Sequence, residues 1–274
     1  MVKDQKNEVR TASWTALLRE AITTPGLIHE AYTRFHRYSL RNQLLVMSQC
    51  IEREIAPGPL ATFPQWEALG RHVRRGQKAL VLCIPITPRA REPTDDDVVD
   101  AVPGEAPGRL FFTYRARWFV LSQTDGEPYE PVSVPAWNEE RALISLGIKM
   151  APFDHADGNV QGYATPDGAI AISPVAALPH KTLFHEVAHA LLQHTKDARI
   201  PRALREVEAE GVALLCVEAL DLPGAEFARG YLQHYLANND LTNETSERII
   251  KTANRILQAG EQDAGGSADE PRPP

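Results

Sequence analysis

HKTLFHEVAHALLQH (180–194) and, shortly after it, LREVEAEGVALLCVEALDL (204–222) are the stretches whose reading decides the fold. Both carry apolar residues at helical spacing. In the first, Leu183, Phe184, Val187, Ala188, Ala190, Leu191 and Leu192 make the helix apolar almost all round, which predicts burial. Within it lies HEVAH, residues 185–189. Residues four apart on a helix share a face, with β-carbons about 5–6 Å apart. His185 and His189 can therefore converge on one ion at about 2.0–2.1 Å. Glu186 stands one step round the helix, where its carboxylate can take a proton from an attacking water. Two histidines and a glutamate left unpartnered in so apolar a helix would each cost several kcal/mol, on the order of the penalty for a buried polar group. A metal ion offsets that cost, and Zn2+ is the ion this donor set suggests.

A site open to substrate needs a third protein ligand. A ligand six residues beyond His189 is excluded, because Thr195 stands there. The second helix offers Glu206, Glu208 and Glu210. Glu206 and Glu210 share a face, and Glu208 points elsewhere. The economical arrangement puts Glu206 on the metal and Glu210 on the second ring nitrogen of a ligand histidine. Glu208, Glu210, His194 and Asp197 remain rival third ligands. His234, Tyr231 and Tyr235 are candidates for steadying a developing oxyanion.

Working outward, NVQGYATPDGAIAIS (159–173) reads as a hairpin turning at Pro166-Asp167-Gly168. NEERALISLGI is a helix ended by Gly147, and FARGYLQHYLAN and ERIIKTANRILQ are two further amphipathic helices. The front of the chain starts with three helices, the first capped by Thr11 or Ser13. TFPQWEALGRHV reads as a short helix, KALVLCIPI as a strand, and LFFTYRARWFVL as a strand or hairpin that pairs with it. Residues 88–109 between those strands are rich in Pro, Gly and Asp and read as an exposed acidic loop. QTDGEPYEP (123–131) is the expected boundary. The expected organisation is α+β, with domains at 11–125 and 132–258 and a disordered tail at 259–274.

Composition narrows the class. Of 274 residues, 43% are hydrophobic and 24% charged, the balance of a globular chain with a real core. Three cysteines in no CxxC pair read as thiols of a reducing compartment. No apolar run suits a bilayer, and MVKDQKNEVR lacks the apolar centre of a signal peptide, so a cytoplasmic location is expected. Residues 1–91 hold 14 basic against 7 acidic side chains, so the rest of a chain of net charge −7 carries roughly −14.

With these residues in view, the back half resembles the ImmA/IrrE-type zincin-like metallopeptidases: a strand pair, the HExxH helix, then EVEAEGVALLC. YSLRNQLLVMSQ, ATFPQWEALGRHVRRGQKALVLCIPI and LFFTYRARWFVLSQTDG resemble the single-stranded-DNA-binding domain of ArdC antirestriction proteins, which join these two modules in this order. The resemblance implies a zinc peptidase coupled to single-stranded-DNA binding, with a protein or peptide substrate. The alternative is a non-catalytic, DNA-coating antirestriction protein in which the zinc site is structural or vestigial. Arg71, Arg74, Arg75 and Lys78 would meet phosphates, as would Arg37 and Arg41, which recur with Arg34 at helical spacing. Trp66, with Tyr38, Trp118 and Phe119, would offer stacking faces.

Overall fold

The computed structural model describes residues 13–86, 111–155, 158–197 and 199–261. The acidic loop expected at 88–109 lies outside them, as does most of the tail. Two compact units form, one from Leu45–Pro131 and one from Ser13–Leu44 with the chain beyond Val132. The architecture is α+β.

The first unit holds a three-stranded antiparallel sheet of order β1-β4-β3: β1 (Leu60–Thr62), β3 (Leu80–Ile86) and β4 (Phe111–Val120). Strands β3 and β4 pair from Ile86 with Phe111 to Leu80 with Trp118, with a bulge at Leu80/Val81. Gln49 covers the outer edge of β3: its amide both donates to Val81 O and accepts from Val81 N, each at 2.9 Å. The helix expected over TFPQWEALGRHV is shorter. It runs as α4 (Phe63–Ala68) and stops at Gly70, whose φ of 71° is left-handed. Arg71–Val73 then turn into β2, which pairs with β5 (Thr124–Gly126).

The second unit is built on α7 (Arg202–Ala219), which is buried continuously from Val207. Around it pack α6 (Pro179–Leu191), α8 (Ala225–Leu236), α9 (Asn243–Gly260) and α2 (Leu27–Phe35). Helix α1 (Trp14–Thr23), capped by Ser13 Oγ on Ala16 N at 3.1 Å, rests on α8 and α9. Residues 13–44, read from sequence as part of the front module, thus pack with the back one. The chain passes between the units inside α3 (Leu40–Glu52) and again between Pro131 and Val132. Glu218 and Arg229 bind these helices together. Glu218 Oε1 accepts from Gly26 N at 2.7 Å and Ile28 N at 3.3 Å, at the start of α2. Arg229 donates to Ala21 O at the end of α1 and to Glu218 Oε2. Each charge therefore faces the helix pole of opposite sign.

Helix α5 (Glu139–Leu146) is capped by Asn138 and ends at Gly147. Ala259 and Gly260, expected in a disordered tail, extend α9, and Glu261 bridges Trp137. The hairpin is β6 (Gly162–Ala164) with β7 (Ile170–Ile172). All three cysteines are buried. Among the described residues no helix is long and apolar enough to cross a membrane.

Candidate metal centre

Helix α6 starts at Pro179, where a missing N–H costs nothing. Its buried stripe of Leu183, Phe184, Val187 and Ala188 seats it on the core and leaves His185 and His189 half-buried on the neighbouring face. Helix α7 brings Glu206 to them. His185 Nε2 lies 3.0 Å from His189 Nε2, and Glu206 Oε2 lies 3.5 and 3.8 Å from those two nitrogens. A point equidistant from the three atoms is about 2.0 Å from each, which is the bonding distance of nitrogen and oxygen donors to zinc. These residues fit a metal ion, and all three offer ligand atoms within 4.8 Å of one another.

The neighbouring carboxylates have separate tasks. Glu210 Oε1 accepts from Lys181 Nζ at 2.8 Å and sits 3.3 Å from His185 Nδ1, near enough to pair but off hydrogen-bond alignment. Glu208 turns away to His194 and Arg248. His194, a rival third ligand on sequence grounds, is not at the centre: its Nδ1 lies 2.9 Å from His189 Nδ1, on the far side of that ring. Asp197, another rival, pairs with Arg199 instead.

Burial pulls the His185 pKa down, but Glu206, Glu210 and Glu186 outweigh it and raise the pKa to about 9. Contact with His185 and His189 holds Glu206 well below the usual carboxylate range. Glu186 is 8% exposed; burial pushes its carboxyl upward against the pull of both histidines.

A cavity of about 430 Å3 opens over these groups, lined by Gly162, Tyr163 and Ala164 of β6 together with His185, Glu186, His189 and Glu206. Gly162 lets β6 approach closely: a Cβ would stand 2.6 Å from Thr182 Cγ2 and 3.1 Å from Glu186 Cγ, so one of them would have to shift. Arg202 and Arg205 also line the cavity, and sequence reasoning missed both; their only signal was spacing on the turn before Glu206. Arg205 Nη1 donates to His194 O at 2.9 Å. Tyr231, His234 and Tyr235 line a different cavity of about 580 Å3, beside Leu204 and Thr242. Burial and the charges of Glu206 and Glu210 still raise the Tyr231 pKa.

The residues expected to meet DNA divide between the units. Arg37 and Arg41 lie in the second, where the Arg41 guanidinium stacks 3.8 Å over the Trp14 ring. Arg71, Arg74, Arg75 and Lys78 lie in the first. Arg71 lies on β2 rather than at a helix end and donates to Thr124 and Glu127. Arg74 donates to Ser122 O and pairs with Asp125 at 3.4 Å. Arg75 and Lys78 are exposed. Trp66 does not present a stacking face: it is 1% exposed, donates to Phe119 O at 2.8 Å and packs edge-on to Tyr129. Tyr38 and Trp118 are buried too. Phe112 and Arg117 on β4 are exposed and went unremarked in the sequence.

Residues 7–115 match the model of the N-terminal domain of anti-restriction factor ArdC. The chain is ArdC-like. The Mn(II)-bound crystal structure of the antirestriction ArdC protein from the R388 plasmid superposes on this ArdC-like chain with a TM-score of 0.52. It covers 90% of this chain and 95% of its own at 18% identity, a likeness of fold. The metal-free structure of that protein matches at a TM-score of 0.49 and 17% identity. An uncharacterized protein, y4eC, of Sinorhizobium fredii is 29% identical over 187 residues, 62% of this chain. The chain spans 55% of that relative's length.

Proposed function

We propose that this ArdC-like chain is a Zn2+-dependent metallopeptidase coupled to a single-stranded-DNA-binding module, acting in antirestriction or mobile-element regulation. The observation that carries the reading is the convergence of His185, His189 and Glu206 beside the buried carboxylate of Glu186, in a cavity bounded by β6. Two imidazoles and a carboxylate suit zinc and leave its fourth position open. Zinc held there would supply Lewis acidity. Glu186, its proton affinity raised by burial, accepts a proton from the attacking water and passes it to the leaving amine.

The hairpin orients the substrate. Gln161 O accepts from Ser173 N, and Thr165 N donates to Ala169 O. By antiparallel alternation the N–H and C=O of Gly162 and Ala164 face away from β7, and no described strand pairs that edge. An extended peptide added there would lie along the cavity. Arg202 and Arg205 put positive charge in the same wall for a developing oxyanion.

Glu186→Gln keeps all three donors and removes the base. Incubated with zinc and candidate restriction subunits or DNA-binding proteins, the wild type is expected to cleave and the variant to be slower by about 10²-fold or more. Equal cleavage by the two would sink the peptidase reading.

A second reading is a protein that coats single-stranded DNA, its metal site structural. The exposed Arg75, Lys78, Phe112 and Arg117 of the first unit favour it. Protection of a single strand from nuclease that survives Glu186→Gln but fails in Arg75→Ala/Lys78→Ala would select it.

A further inference from the structure

We infer that His194, Glu208 and Arg248 form a relay that fixes the ring of His189 in the tautomer able to ligate a metal ion, so that His194 is a positioning residue of the site. The inference rests on reading His185, His189 and Glu206 as ligands.

Glu208 is 2% exposed and held by Arg248, with Nε 2.8 Å from Oε1 and Nη2 3.1 Å from Oε2. A carboxylate so clamped only accepts. Its Oε2 lies 2.8 Å from His194 Nε2, so that nitrogen carries the hydrogen. A neutral imidazole with hydrogen on Nε2 has an acceptor at Nδ1. Arg248 already neutralises Glu208, which leaves no charge to hold an imidazolium, so His194 is neutral and the one proton in the 2.9 Å contact between His194 Nδ1 and His189 Nδ1 belongs to His189. This leaves the lone pair of His189 on Nε2, the atom that faces His185 and Glu206. The opposite assignment would give His189 a hydrogen where the ion must bind.

The backbone is bent to make this contact. After α6 the chain closes a Schellman turn: His194 N donates to His189 O at 3.0 Å and Gln193 N to Ala190 O at 3.2 Å. The left-handed position belongs to Gln193, φ 57°, not to the glycine usual there. The turn folds His194 back under the ring it orients, and Arg205 holds its carbonyl from outside. The two ligand histidines are thus steadied by different devices. His185 faces the Glu210 carboxylate directly, whereas His189 meets its carboxylate through an interposed imidazole.

The test uses the full chain, stripped of metal. Zinc is titrated against a competing chelator for wild type, His194→Phe, His194→Gln and Glu208→Gln. His194→Phe should weaken zinc on the order of 10–100-fold. His194→Gln, which keeps an acceptor and a donor on one head group, should recover most of that loss. Folded His194→Phe binding zinc as tightly as wild type would overturn the relay. If His194→Phe does not fold, Glu208→Gln decides: about tenfold weakening supports the relay and unchanged affinity overturns it. Imidazole 15N spectra of the metal-free wild type should show His189 protonated at Nδ1 and His194 at Nε2. His189 protonated at Nε2 would overturn the inference. If the wild type binds no zinc, the ligand reading fails, while these spectra still decide the relay.

Discussion

At the residue, each carboxylate near the centre is distinguished by what it touches. Glu206 contacts both His185 and His189, Glu210 pairs with Lys181 beside His185, and Glu208 is spent on His194 and Arg248. Glu206→Ala should therefore abolish tight zinc binding, as removal of one of three ligands must, while the helix persists. Equilibrium dialysis measures this; wild-type affinity in the variant would refute the role. The same contacts set a pH dependence in the metal-free chain. His185 has its folded pKa raised from 6.5 to about 9. Its contribution to stability is thus fully present below the unfolded value of 6.5 and is lost as pH rises through about 9. A ligand must shed that proton, so zinc affinity should climb over the same window, with protons released on binding. Calorimetry in buffers of different ionisation enthalpy would detect the release.

Among the elements, α7 dominates, because it supplies both Glu206, the carboxylate beside His185 and His189, and the core of its unit. The Glu218–Arg229 pair ties α1 and α2 to it. Breaking a buried pair strands the other charge, so Glu218→Ala or Arg229→Ala should each cost about 3–5 kcal/mol, and the double variant less than their sum. Denaturant melts of the three variants would test the coupling; strict additivity would deny it. The hairpin bears on the site through Gly162. A methyl there collides with Thr182 and nears Glu186, so Gly162→Ala should cost about 1–3 kcal/mol and slow cleavage while leaving zinc affinity nearly unchanged. A variant as active as wild type would show that β6 does not need to sit so close.

For the whole molecule, charge is segregated along the sequence, the front 91 residues being basic and the remainder acidic, and the fold divides that basic stretch between the two units. Single-strand binding by the first unit should weaken with salt, and Arg75→Ala/Lys78→Ala should reduce the slope of log affinity against log salt by about 1 or more. A fluorescently labelled oligonucleotide suffices to measure it, and an unchanged slope would move the contact elsewhere. The closeness of His185 to His189, and the shared face of Glu206 and Glu210, were legible because helical period alone puts such residues side by side. Trp66 was misread because nothing local tells a core indole from a stacking one. The shortened α4 was missed because Gly70 ends it in favour of a strand whose partner lies fifty residues on, across the β2–β5 pairing.

The order of residues along the chain determined the α+β class, the helices and the pair of histidines, since propensity and spacing act over a few residues and need no knowledge of distant neighbours. Only the folded chain decided that α1 and α2 pack with α7 to α9, that His194 lies behind His189 and not beside Glu206, and that Arg202 and Arg205 face the cavity. Those outcomes depend on which surfaces meet when apolar area is buried, and that contact is made between segments far apart in sequence.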